Sequence, residues 1–527
     1  MSNSSTVSTN NNHFSRTTTF LYLGIIIVSF LYLYNSVFDE KISLNGDNAN
    51  YYVLGKALAS GQGYSNITAK EKTPHKHFPV GYPLIIATAS KVFSSDIVFI
   101  KKVNGFLLLS SLVLLFYFLR SITKNNHIPF ISVLFCLSNA NLLNFAYIMM
   151  SEISFLFFLI LSLFIITKIN FEKPVKKNWQ FFVLILCISF LFHIKTTGIA
   201  LFLGLAVFLI LNKKINYLLV HISGFIILFL PWYLRSKSLG ANSHVKSLFL
   251  KNPYNPELGT VGITDFIERM ASNIERYVAR EIPSSTFNYV DGIVYSSPVS
   301  TNELILGAFI VAVMALGFYK IKEYRNLLGS YFLFFFGILI IWPKVWFGVR
   351  FILPVVPLLF FMFINGISQI IDYLAIKLKL KDQIKYIPIF MVIISFLFIP
   401  SYLAPLNKLK QAKKGTYPQN YINYFSLANW INVNTPEGTL VSCRKPTLFY
   451  LYSDRYAIQY RKTTNQKEFI EYLEKKGVDY VVLDQLGYSS TKNFLFPAIT
   501  QNPERFKLVT YSEQEPITYL YQFVKRK

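Results

Sequence analysis

The chain predicts a polytopic α-helical membrane domain of about eleven transmembrane helices, followed by a small extracytoplasmic α/β domain. Three observations carry that expectation. Hydrophobic residues make up 53% of the 527 residues and charged residues 15%, with a mean hydropathy of +0.40. The apolar residues gather in runs suited to a hydrocarbon core of roughly 30 Å, which takes about 17 to 25 helical residues to cross. Past residue 404 the composition becomes that of a soluble domain.

Residues 1–16 are polar and rich in Asn, Ser and Thr, the composition of a disordered tail, here expected on the cytoplasmic side. The membrane domain, 17–404, carries apolar runs at Thr17–Phe38, Ile97–Leu119, Ile128–Ala146, Ile153–Thr167, Trp179–Phe192 and Thr197–Leu211. Further runs lie at Tyr217–Leu234, Leu304–Tyr319, Leu327–Trp342, Phe351–Ile371 and Ile387–Leu403. Several are short, so one or two are candidates for broken helices. The first run has no small-residue cleavage site behind it and reads as a retained span.

A net charge of +25 would point to nucleic acid in a soluble protein, but here the charge sorts by loop. Arg120 and Lys124; Lys173, Lys176 and Lys177; Lys213 and Lys214; Lys320, Lys322 and Arg325; and Lys377, Lys379, Lys381 and Lys385 occupy alternate connections. The positive-inside rule turns these toward the cytoplasm and leaves 39–80, 235–300 and the C-terminal domain outside. The expected protein is therefore multi-pass in the cell (inner) membrane, N-terminus in and C-terminus out, with the lipid bilayer and no nucleic acid as partner.

Cys136 and Cys187 lie in apolar runs and Cys443 stands alone in the tail, which makes neither a disulfide framework nor a zinc pattern. After the basic linker Lys408–Lys414, the soluble domain at 416–527 shows strand-like segments at Thr439–Cys443, Asp479–Leu483, Phe506–Tyr511 and Thr518–Val524. A helical segment at Asn465–Lys476 lies among them, which makes a small α/β unit.

The second polar loop, 235–300, spaces Glu268, Arg269, Glu275, Arg276, Arg280 and Glu281 as an amphipathic helix lying on the membrane. The first, 39–80, holds Asp47 four residues before Tyr51, at the start of a helix expected over Tyr51–Ser60, with Gly61 and Gly63 to end it. An aspartate at a helix start is well placed as a cap whether or not it does chemistry.

The ordered segments Gly46-Asp47-Asn48-Ala49-Asn50-Tyr51, Ala57-Leu58-Ala59-Ser60-Gly61-Gln62-Gly63-Tyr64 and Pro79-Val80-Gly81-Tyr82-Pro83 resemble the first outer loop of the GT-C glycosyltransferases. The resemblance is to the bacterial branch akin to protein O-mannosyltransferases and the lipid A aminoarabinose transferase. It continues through Ser151-Glu152, Pro231-Trp232-Tyr233-Leu234-Arg235 and Arg350-Phe351-Ile352-Leu353-Pro354-Val355-Val356-Pro357, and so covers most of 17–404.

The resemblance implies transfer of a sugar from a polyprenyl-phosphate-linked donor to an unknown glycan, lipid or protein acceptor on the outer face, usually with inversion. It places Asp47 at the family's essential aspartate, as general base. It also exposes a departure: Asn48 stands where a second acid is common, so either Asp47 acts without a neighbouring charge or Glu152 supplies it. Glu152 at a helix start is equally served by the helix dipole.

For the lipid phosphate the candidate cations are Lys76, Lys195, Arg235, Lys344 and Arg350, with His75, His77 and His193 beside them, each of which suits an interfacial position as well. Tyr51 and Tyr82 join them as substrate-binding candidates. Trp342 and Trp346 fit an interfacial belt or a sugar platform. No cofactor is expected; His75 and His77 lack a third ligand at close spacing, which disfavours a metal. The alternative class is a multi-pass transporter or flippase of lipid-linked sugars, which should show ionisable groups mid-span or paired broken helices.

Overall fold

The computed structural model describes residues 16–44, 46–240, 243–287, 297–379 and 387–526, without the side chains of 46, 243–245 and 387–400. The expected disordered tail lies outside them, apart from Arg16.

Helix α1, Arg16–Val37, leads into the first polar loop, where α2 (Gly46–Ala59) precedes a hairpin of β1 (Ser65–Asn66) and β2 (Thr73–Pro74). Then come α3 (Gly81–Val92), α4 (Ile97–Thr123) and a pair, α5 (His127–Ser138) and α6 (Ala140–Ala146), bent by 66°. The bend has a side-chain cause. Asn139 breaks the helix, accepts a hydrogen bond from the Leu142 amide at 3.0 Å to start α6, and donates to the Ser285 carbonyl at 2.8 Å.

The chain continues through α7 (Ser151–Ile166), α8 (Trp179–Ile194), α9 (Ile199–Leu211) and α10 (Ile215–Ser238). The second polar loop holds α11 (Ser243–Leu248), α12 (Ile263–Arg276), a π-helical turn at Tyr277–Glu281 and α13 (Ile282–Phe287). Helices α14 (Thr301–Tyr319), α15 (Arg325–Ile341), α16 (Val356–Lys377) and α17 (Ile387–Lys414) complete this part.

All eleven apolar runs are helical, yet the count of about eleven spans is not reached by length and composition. Among the described residues five helices qualify, or six if the bent pair is one span, and four more are apolar but only 10–17 residues long. The reason lies in packing. Helix α7 is largely buried between α4 and α8, whereas α1 and α10 turn Phe20, Val28, Leu219 and Ile227 outward, as a lipid-facing surface requires. Helices α14 and α16 touch backbone to backbone. A Cβ on Gly317 would meet the Met362 carbonyl oxygen at 1.8 Å, and one on Gly366 the Val313 carbonyl oxygen at 2.1 Å. Such small-residue contacts are how helices associate where no water drives them together. This is a membrane protein.

The second polar loop departs from a simple charged-face-out helix. Arg269, Arg276, Arg280 and Glu281 are buried, with Arg276 paired to Glu281 at 2.6 Å and Arg280 to Glu303 at 3.1 Å. Ile263, Ile267 and Ile274 form the exposed stripe instead. On α12 it is Arg269 and Arg276 that close onto the protein, while Glu268 and Glu275 stay exposed.

The C-terminal domain is built on α18 (Gln419–Asn434), β3 (Leu440–Ser442), α19 (Pro446–Ser453), β4 (Tyr456–Ile458), α20 (Gln466–Lys476) and β5 (Tyr480–Leu483). It ends with α21 (Phe496–Gln501), β6 (Phe506–Tyr511) and β7 (Tyr519–Phe523), in one sheet of order β4-β3-β5-β7-β6. Strands β4, β3 and β5 are parallel; β7 and β6 close the sheet antiparallel. The three-residue β4 is too short to show in the sequence pattern. The domain sits on the first polar loop: Ala457 donates its amide to the Thr68 carbonyl at 2.7 Å, and Lys476 pairs with Glu71 at 2.9 Å.

Candidate active site

Helices α2 and α7 begin side by side, which brings Asp47 and Glu152 together in their first turns. Between them stands Arg350, in a short 3-10 turn at Val349–Phe351 that follows Gly348, whose φ of 111° turns the chain in a way a side chain would oppose. Arg350 donates from Nη1 to Asp47 Oδ2 at 3.2 Å and from Nε to Glu152 Oε1 at 3.2 Å. Lys195, extended between α8 and the turn Thr196–Gly198, donates to the same Glu152 oxygen at 3.3 Å. Gly81, at the start of α3, permits this approach, since a Cβ there would meet the His193–Ile194 backbone at 2.6 Å.

The four groups bring two carboxylates against two cationic side chains, so their formal charges balance. Glu152 is fully buried, and its second oxygen, Oε2, has no hydrogen-bond partner among the described residues. Burial pushes the Lys195 ammonium below its ordinary pKa, with Glu152 opposing. Burial also opposes the charge on Arg350, but the carboxylates of Glu152 and Asp47 outweigh it and raise its pKa. Phe351 lies 5.4 Å from both cations, an apolar floor that sequence reasoning had not assigned. Its adjacency to Arg350 was the available signal.

Tyr51 completes this region: its hydroxyl is 3.5 Å from Ser151 Oγ, and its ring packs on Phe78 and Tyr82. Tyr82 is buried behind it and accepts from Asn104 Nδ2 at 2.9 Å. The other candidates stand elsewhere. Lys76 and His77 are exposed on the hairpin side of the loop. Arg235 donates to the carbonyls of Tyr64 and His75, each at 3.1 Å, and lies over the rings of Tyr64 and Trp232, so it braces the hairpin. Lys344 pairs with Glu268 at 2.7 Å on the second polar loop. His193 bonds the Ser189 carbonyl at 2.7 Å, and Trp342 and Trp346 pack edge to face.

His75 is buried and structural. Its Nδ1 lies 2.7 Å from Asn66 Oδ1 and its Nε2 accepts the Phe78 amide at 3.0 Å, which requires the neutral ring protonated on Nδ1. Burial is the main cause of a pKa lowered to about 4. A lowered folded-state value means that the stabilisation is complete above the unfolded pKa of roughly 6.5 and is lost as pH falls toward 4. The expected result is a His75 ring still neutral by NMR at pH 5.5, and a loop 60–80 that becomes protease-sensitive as pH drops toward 4. A ring titrating near 6.5 would refute this.

Asn48, where the sequence departs from the family pattern, is buried. Its Nδ2 donates to the Ser43 carbonyl at 2.9 Å and its Oδ1 accepts the Met149 amide at 3.0 Å, tying the α2 start to the segment before α7. A carboxylate could accept from Met149 but could not donate to Ser43.

An apolar groove of about 820 Å³ runs between α3, α4, α7 and α8, lined by Leu84, Phe93, Phe99, Phe106, Phe158 and Phe190. A second cavity of about 480 Å³ shares Leu84, Phe158 and Phe190 and reaches His193, two residues from Lys195.

The apolar helical bundle with a C-terminal sheet domain on its first polar loop is a fold shared with two solved structures, an oligosaccharyltransferase and ArnT, both GT-C glycosyltransferases. An oligosaccharyltransferase from Archaeoglobus fulgidus, tethered with an acceptor peptide, superposes with a TM-score of 0.59 at 11% identity, over 97% of this chain and 74% of that one. ArnT from Cupriavidus metallidurans, bound to undecaprenyl phosphate, superposes with a TM-score of 0.59 at 11% identity, over 97% of this chain and 98% of that one. No sequence family matches the chain, and no curated protein does. One structure of the archaeal enzyme contains zinc and sulfate. The donor set here does not fit a divalent ion, because Arg350 and Lys195 place two positive charges against the carboxylates that would have to bind it.

Proposed function

We propose that this protein transfers a hexosyl or pentosyl group from a polyprenyl-phosphate-linked donor to a glycan, lipid or protein acceptor on the outer face of the membrane. The observation that carries the proposal is Arg350 held between Asp47 and Glu152, with Lys195 on the same buried carboxylate; α7 and α8, which carry Glu152 and lead into Lys195, also line an apolar groove. The fold shared with ArnT bound to undecaprenyl phosphate supports a lipid-linked donor.

In this reading the prenyl chain occupies the groove and its phosphate draws on Arg350 and Lys195, whose charge-assisted hydrogen bonds suit a phosphate oxygen. Drawing Arg350 toward the phosphate loosens its hold on Asp47. The freed carboxylate takes the proton of the acceptor hydroxyl as that oxygen attacks the anomeric carbon and the lipid phosphate departs with the bonding electrons. Attack opposite the leaving group inverts the anomeric configuration. Glu152 is a positioning residue: buried and touching both cations, it fixes them where the leaving phosphate forms.

Transfer from a polyprenyl-phosphate sugar by the purified protein tests this reading, with mass spectrometry of surface glycans and lipids, with and without the protein, to identify sugar and acceptor. Unchanged envelope glycosylation without the protein, together with no transfer in vitro, would overturn it. Asn48→Asp provides a further check. Restoring the acid seen elsewhere in the family is expected to lower stability by about 1–3 kcal/mol, because the Ser43 carbonyl loses its donor. Thermal unfolding at neutral pH measures this, and a variant as stable as the parent would contradict the structural role given to Asn48.

A further inference from the structure

In the C-terminal sheet, β3 connects through α19 to β4 on one side, while the chain leaving β5 passes toward β7 and β6 on the other. The carboxyl ends of the parallel neighbours β3 and β5 therefore part at a topological switch point, the place where open α/β sheets form a crevice. The residues just beyond those ends are Cys443, Arg444 and Lys445 on one side, and Asp484 through Tyr488 on the other.

Cys443 and Leu486 belong to the hydrophobic core, with Tyr488 packed against it, but the segments also bring charged groups together. The Arg444 guanidinium stacks 4.1 Å from the centre of the Tyr488 ring, its Nε is buried, and among the described residues it makes no hydrogen bond or ion pair. Lys445 stands 5.3 Å from the Tyr488 ring and 5.7 Å from that of Tyr421, on α18. Asp484 lies buried nearby and is satisfied by the Leu486 amide at 3.1 Å and the Thr491 hydroxyl at 3.3 Å, which leaves the arginine unneutralised at contact distance. Burial opposes ionisation of the Tyr488 phenol, and the Lys445 and Arg444 charges beside it act against burial to lower its pKa. A bound anion would supply the charge-assisted acceptor that the buried Arg444 Nε lacks.

The crevice is tied to the catalytic loop on both sides of Asp47. Lys445 Nζ donates to the Leu44 carbonyl at 2.6 Å, and Thr447 Oγ1 donates to Asn50 Oδ1 at 2.5 Å. A ligand held at Arg444 thus lies one loop away from the residue proposed to activate the acceptor.

We propose that this crevice binds an anionic group, a phosphate or carboxylate, carried on a saccharide acceptor, with Arg444 and Lys445 holding the anion and the rings of Tyr421 and Tyr488 forming the sugar platform. The assignment of the ligand as acceptor rests on the transferase reading above.

Direct binding to the full-length protein in detergent, without donor or turnover, tests the site. The probes are a hexose 1-phosphate, a hexuronate and inorganic phosphate. At least one sugar probe is expected to bind more tightly than inorganic phosphate and to weaken about tenfold or more in Arg444→Gln, the loss of one charge-assisted hydrogen bond. Arg444→Lys should recover part of that loss, which a damaged fold would not do, and Tyr488→Leu should weaken the sugars while sparing inorganic phosphate. No binding of either sugar to the parent protein, or equal binding to parent and Arg444→Gln, would overturn the site. Inorganic phosphate bound as tightly as the sugars would overturn the saccharide assignment. Arg444-dependent binding alongside undiminished transfer by Asp47→Asn would overturn the general-base mechanism and keep the site, whereas transfer lost in Asp47→Asn with no Arg444-dependent binding would do the reverse.

Discussion

Asp47→Asn is expected to lower the rate of sugar transfer by about 10²- to 10⁴-fold, the range supplied by a positioned general base. Folding should barely change. The Asp47 side chain is 35% exposed and its partner Arg350 29%, so their pair resembles a surface salt bridge worth about 0–1 kcal/mol. Binding of the polyprenyl-phosphate donor should persist, because the phosphate is assigned to Arg350 and Lys195. Single-turnover kinetics with purified protein, paired with donor binding, separates these effects. Transfer at the parent rate would remove Asp47 from the mechanism, and parallel loss of binding and rate would reduce it to a structural cap.

The second large effect is expected at Arg350. Its removal in Arg350→Ala leaves Glu152, fully buried, with one of its two cations gone, and breaking a buried pair in this way costs about 3–5 kcal/mol. Glu152→Gln introduced into the same chain removes the under-compensated charge but takes from Lys195 its carboxylate partner, so only part of the lost stability should return. Donor affinity should not return, since the guanidinium assigned to the phosphate is still missing. Denaturant unfolding in mixed micelles, run as a double-mutant cycle beside donor binding, reads both quantities. If Arg350→Ala were as stable as the parent, the ionic coupling to Glu152 would be disproved; if the double variant regained donor affinity, the phosphate role of Arg350 would be.

Much of this molecule was legible because the relevant signals are local. Helical runs are written in consecutive apolar residues, and a helix in the first polar loop followed from a short polar motif and the glycines that end it, Gly61 and Gly63 having φ of 73° and 72°, although α2 begins at Gly46 rather than Tyr51 and so takes Asp47 into its first turn. The strands β3, β5, β6 and β7 were legible from alternation and β-branched content, while α18 and α19, rich in Tyr and Asn, carry no such periodic mark. The cations were the hardest to sort. Lys195, Arg235, Lys344 and Arg350 look alike as basic residues near helix ends, and which carboxylate each one meets is a long-range matter. The buried charges of the second polar loop show the same limit: spacing identified the amphipathic helix, but not that Arg276 and Arg280 turn inward onto Glu281 and Glu303.

By itself the sequence determined a helical membrane protein with an acid-bearing first loop and a C-terminal α/β domain, because hydrocarbon-length runs and short-period patterns are properties of neighbouring residues. Only the tertiary structure decided that Arg350 joins Asp47, 303 positions away, to Glu152, 198 positions away. It likewise decided that Asn48 is a buried tie rather than a missing acid, and that the Arg444 Nε has no hydrogen-bond partner among the described residues. Charge pairing acts over a few ångströms of space at any distance along the chain, so it becomes readable only once the helices have packed.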